Sequence, residues 1–134
     1  MKPVQPVPGI PVLRYFGDTP RMSRTILVVD DQDVVRDVIR LTLEGAGYNV
    51  LEAASPNAAI DLVRGGGPID LLVTDVVMPE MDAFELAERI ACEVPGVRVL
   101  YTSGYTDAGA EGPFIQKPFT PAQLVAKVTA VLAA

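Results

Sequence analysis

The chain has 134 residues, 49% of them hydrophobic and 21% charged, and 17 acidic against 11 basic residues leave a net charge of −6. That length suits one domain with a real core and the composition excludes global disorder, while the acidic balance argues against binding nucleic acid through phosphate contacts. Histidine is absent and Cys92 is the single cysteine, which excludes a Ser-His-Asp triad, a histidine-ligated metal, an internal disulfide and a cysteine cluster.

Residues 1–23 form a proline-rich tail holding five of the twelve prolines. Pro3, Pro6, Pro8 and Pro11 forbid the apolar helix of a secretory signal. Their PxxP spacing would suit an SH3-type ligand, but an extended tail, a linker stub or a start at Met22 is the simpler reading. No run of about 18 apolar residues offers a membrane span, and a cytoplasmic location is expected.

From Thr25 the pattern alternates between strands and helices. Ile26-Leu27-Val28-Val29 is a continuous apolar run suited to a strand buried on both faces, and it stops at Asp30-Asp31. Val34, Val35, Val38, Ile39 and Leu41 recur at helical spacing, with Asp33 as a candidate cap and Gly45 and Gly47 as the stop. Tyr48 to Ala53 reads as the second strand. Ser55-Pro56 opens a helix with a stripe of Ala59, Leu62 and Val63, closed by Gly65-Gly66-Gly67. Ile69 to Thr74 is the third strand, ending at Asp75. A loop through Pro79 leads to a helix over Asp82–Cys92, and Val97 to Thr102 is the fourth strand. Phe114-Ile115-Gln116 is a short fifth strand. Thr120-Pro121-Ala122-Gln123 is a capping box that opens the last helix, with Leu124, Val128, Val131 and Leu132 on one face.

Strands alternating with helices predict an α/β, doubly wound, five-stranded parallel sheet in the flavodoxin-like order 2-1-3-4-5. Sites in such sheets lie beyond the carboxyl ends of the strands. Those ends carry Asp30-Asp31, Asp75, Thr102-Ser103 and Lys117, and the predicted order makes the first and third strands neighbours. Three converging carboxylates repel one another, and Mg²⁺ is the oxygen-seeking cation that relieves the conflict. A metal, Lys117 and the Ser103 hydroxyl together suit a phosphoryl group. With histidine absent, the acceptor is a carboxylate, and Asp75 is best placed.

The segments Val28-Val29-Asp30-Asp31, Leu71 to Asp82 (Leu-Leu-Val-Thr-Asp-Val-Val-Met-Pro-Glu-Met-Asp) and Lys117-Pro118-Phe119 resemble the receiver domain of two-component response regulators. The likeness covers about residues 25–133, within a domain expected over 24–134. Val99 to Tyr105 further resembles receivers attached to, or encoded beside, hybrid histidine kinases. The resemblance implies that Asp75 takes a phosphoryl group from the phosphohistidine of a histidine kinase or histidine phosphotransfer protein. It also implies that Asp31, Asp75 and the Val77 carbonyl ligate Mg²⁺, with Asp30 nearby or acting through water. Ser103 matches the switch hydroxyl, with Thr102 as the fallback, and Phe114 matches the aromatic switch position. Lys117 matches the conserved lysine, and its bond to Pro118 is expected to be cis.

Such a protein is a signalling switch that assists its own phosphorylation and hydrolysis without being a conventional enzyme. The competing readings are a haloacid-dehalogenase-like Mg²⁺ phosphatase, for which the Asp-x-Asp pair is missing, and a pseudo-receiver, for which an acidic residue should be lost. With Ala134 directly after the last helix, no DNA-binding output domain is expected, and output is expected through contact with a downstream protein or through phosphoryl relay. Two departures from the family pattern stand out. Ala83 replaces a usual glycine, and only residues 104–112 remain to cross between the last two strands, where three glycines oppose a helix. The fourth helix of the family is therefore expected to be shortened or missing. That would uncover the sheet near Tyr101 and Ile115 for a partner or a homodimer.

Overall fold

The computed structural model describes residues 24–104 and 112–134. The tail over 1–23, and the shortened crossover with its expected loss of a helix, fall on residues outside these. In chain order the elements are β1 (Thr25–Val29), α1 (Asp33–Gly45), β2 (Asn49–Ala53), α2 (Pro56–Arg64), β3 (Leu71–Asp75), α3 (Ala83–Glu93), β4 (Arg98–Ser103), β5 (Phe114–Gln116) and α4 (Pro121–Ala133). All strand pairs are parallel and the sheet order is β2-β1-β3-β4-β5, as expected.

The apolar runs of β1 and β3 are buried on both faces because helices cover both sides of the sheet. Ile26, Val28, Leu71, Val73 and Leu100 pack with Ile39 and Leu43 of α1 and with Leu124, Val128, Val131 and Leu132 of α4. Leu27, Val29, Leu72 and Tyr101 pack on the other side with Ala59, Ile60 and Val63 of α2 and with Ala83, Leu86 and Ile90 of α3. Each fully buried Val, Leu or Ile among these contributes about 1.5–3 kcal/mol.

Helix ends follow their capping chemistry. Ser55 Oγ accepts from the Ala58 N–H at 3.1 Å, Asp82 Oδ1 accepts from the Glu85 N–H at 2.8 Å, and Thr120 and Gln123 form the complete capping box. Asp33 does not cap α1: Gln32 is the N-cap, with no side-chain bond, and Asp33 is the first helical residue.

The α1 stripe is also corrected. Val34, Val38 and Leu41 are exposed, and the residues α1 buries are Ile39 and Leu43. Near the expected opening in the sheet, Tyr101 is 7% exposed with the Phe84 ring 5.0 Å away, centroid to centroid, and Ile115 is half-buried. Ala83 is fully buried as the first residue of α3. The one positive φ outside glycine among the described residues is Glu80 (φ 81), in the turn before that helix.

Candidate functional site

Strand alternation decides which side chains share a face. Val28, Val73, Leu100 and Ile115 belong to the α1–α4 side, so the residues two further on, Asp30, Asp75, Thr102 and Lys117, belong to that side at the carboxyl rim. Register aligns them: Val29 pairs with Thr74 and Asp75 with Thr102. Ser103 and Phe114 alternate to the other side, where Phe114 pairs with Tyr101 across β4 and β5 and packs into the α2–α3 core.

Asp30, Asp31 and Asp75 each place one carboxylate oxygen within 4.8 Å of the other two. Asp30 is buried; its Oδ1 accepts the Gln32 N–H at 2.9 Å. Lys117 Nζ donates to Asp30 Oδ2 at 3.4 Å and lies 3.5 Å from Asp75 Oδ2, so one ammonium bridges two strands. Asp31 is exposed and the Asp75 side chain is 12% exposed, so the cluster opens to solvent at one point. Burial is the largest influence on Asp75 and pushes its carboxyl above its ordinary value. The Asp30 charge adds to that, while the Lys117 ammonium and the Val77 N–H, which bonds the carboxylate, pull it down.

Three carboxylates facing one ammonium leave a surplus of negative charge that a divalent, oxygen-preferring cation fits, and all three donors are hard oxygens. Backbone contacts fix the frame. The Val76 N–H donates to the Thr102 carbonyl at 3.0 Å and the Lys117 N–H to the Ser103 carbonyl at 2.6 Å. The Lys117–Pro118 peptide bond is cis, as expected.

Sequence reasoning missed Arg36. Its Nη1 donates to the Asp30 backbone carbonyl at 2.8 Å, Nη2 pairs with Asp33 at 2.7 Å, and Nε pairs with Glu52 at 3.2 Å. The available signal was an arginine one helical turn from Asp33 (i, i+3), but nothing in the chain order ties it to the strand end.

The family described as the response regulator receiver domain matches residues 26–129. The sensor kinase CckA of Brucella abortus is 37% identical over 119 residues, which cover 82% of this chain and 13% of that protein. The response regulator receiver protein CpdR of the same organism is 33% identical, with 84% of this chain and 99% of that one covered. The crystal structure of the receiver domain from the hybrid histidine kinase CckA superposes with a TM-score of 0.72 at 35% identity, covering 81% of this chain and 98% of that one. The chain spans about half or less of the length of several other curated relatives.

Proposed function

This chain belongs to the response regulator receiver domain family of two-component systems, and from that premise we propose that it is a phosphoacceptor whose acceptor is Asp75. Proteins of this family are signalling phosphoacceptors rather than conventional enzymes, which leaves the phosphatase reading without support. The observation that carries the proposal is the bridge Lys117 makes between the buried Asp30 and the strand-end Asp75, inside a cluster of three carboxylates.

In this reading the donor is a phosphohistidine on a histidine kinase or phosphotransfer protein. An Asp75 carboxylate oxygen attacks phosphorus, the P–N bond breaks, and the donor imidazole leaves with the electron pair and takes up a proton. Asp31, Asp75 and the Val77 carbonyl, with Asp30 behind them, would hold Mg²⁺, which supplies charge neutralisation when bound. Lys117 and the Ser103 hydroxyl bind the phosphoryl oxygens. Drawing Ser103 toward them opens room for Phe114 to turn inward from its half-buried place beside Tyr101. The same groups assist hydrolysis, and output passes by contact with another protein or by onward phosphoryl transfer.

The test is incubation with candidate histidine kinases and labelled ATP in Mg²⁺. Acid-stable, base-labile label on the wild type and none on Asp75→Asn is the expected result. Label retained at the wild-type level in Asp75→Asn defeats the assignment.

A further inference from the structure

Thr102 is 1% exposed, and among the described residues its Oγ1 is the one buried side-chain polar atom with neither a hydrogen bond nor an ion pair. A buried hydroxyl without a partner destabilises a fold, and a valine of the same shape would not. Strand β4 therefore keeps a polar atom at a position where an apolar one packs better, in direct register with Asp75.

Its place in the sheet says what it can meet. Thr102 pairs with Asp75 on one side and Ile115 on the other, and it shares the α1–α4 face with the acidic row. Lys117 follows β5, yet its ammonium lies against carboxylates on the far side of β4. The lysine side chain therefore passes over the carboxyl end of β4, where the register sets Thr102 opposite Ile115 and Ser103 opposite Gln116. An ammonium has three N–H donors, and the two carboxylates take two of them, at the long separations of 3.4 and 3.5 Å.

We propose that Thr102 is a positioning residue for Lys117. When Asp75 carries a phosphoryl group and the ammonium turns toward the phosphoryl oxygens, Thr102 Oγ1 accepts the remaining N–H and holds the ammonium in place. This rests on the phosphoacceptor reading above and adds a second hydroxyl, distinct from Ser103, on the opposite face of the strand.

The probe is beryllium fluoride in Mg²⁺, a non-covalent stand-in for the phosphoryl group, titrated by calorimetry beside thermal melts of the unliganded proteins. The wild type should bind it and Asp75→Asn should not. Thr102→Val and Thr102→Ala should each bind roughly tenfold more weakly, since the bond lost involves a charged donor. Thr102→Ser should stay within about twofold of wild type, and unliganded Thr102→Val should melt at or above the wild-type temperature. In a Lys117→Met background, Thr102→Val should add no further loss. Wild-type affinity in both the Val and Ala variants, or an undiminished loss in the Lys117→Met background, overturns the role of Thr102 and leaves the phosphoacceptor reading standing. A wild type that neither binds beryllium fluoride nor takes label overturns both.

Discussion

Arg36, one turn into α1, donates to the backbone carbonyl of Asp30 at 2.8 Å while its other nitrogens pair with Asp33 and Glu52. The strand end that carries the acidic pair is thus tied to the helix above it and to the neighbouring strand β2. With its side chain only 14% exposed, Arg36 is held in one geometry rather than waving in solvent.

Arg36→Ala should accordingly cost about 2 kcal/mol of stability, within the usual range for hydrogen bonds to charged groups. It should also weaken Mg²⁺ several-fold by loosening the Asp30-Asp31 turn. Arg36→Lys should not restore the loss, because a single ammonium cannot reach three acceptors in a fixed fork. Denaturant melts and Mg²⁺ titrations check both parts; unchanged Mg²⁺ affinity in Arg36→Ala would show that the turn holds without it.

Asp75→Asn should raise the melting temperature by a few degrees at neutral pH while removing function. The sign follows from the raised folded-state value of Asp75. Protonated Asp75 contributes stability that is complete below its unfolded value and is lost as pH rises through the folded one. At pH 7 the ionised group therefore works against the fold, and the neutral amide relieves it. Melts from pH 7 down into the acid range should show the advantage of Asp75→Asn shrinking as wild-type Asp75 protonates.

Mg²⁺ should bind more weakly as pH falls through that raised value, with the decline beginning above the ordinary aspartate range near about 3.9. Asp31→Asn should reduce Mg²⁺ affinity by roughly tenfold or more without a comparable loss of stability, because Asp31 is exposed. Calorimetric titration across pH measures both. An Asp31→Asn variant that binds Mg²⁺ like wild type removes Asp31 from the ligand set.

Glu80→Gly should stabilise the fold by up to about 1 kcal/mol. Glu80 holds φ 81, a left-handed conformation costing a side-chain-bearing residue about 1–2 kcal/mol, part of which glycine returns as extra freedom in the unfolded chain. Chemical denaturation of the variant measures the gain.

The sheet order and the acidic row were legible in the sequence because both depend on local facts. Apolar runs that stop at charged residues mark strand ends, and parallel connectivity sends those ends to one rim. The strand bounds differ by one or two residues, as at β3, where Asp75 belongs to the strand and Ile69 and Asp70 precede it. The face of α1 was not legible. Val34, Val35, Val38, Ile39 and Leu41 have helical spacing, yet the direction in which the helix docks, set by Ile39 and Leu43, leaves three of them in solvent. The same ignorance of docking direction hid Arg36. Thr102 could be named only as the fallback to Ser103, and its lack of a partner is visible only once β3, β4 and β5 lie side by side.

The sheet also partitions the molecule. Asp30, Asp75, Thr102 and Lys117 belong to the face covered by α1 and α4, whereas Tyr101, Phe114 and Phe84 belong to the face covered by α2 and α3. Ser103 and Thr102, adjacent at the end of β4, belong to opposite faces, so a single peptide unit is where the acidic row and the aromatic side adjoin. A single layer of strands thus keeps the carboxylates and these aromatic rings in separate compartments that meet at one rim.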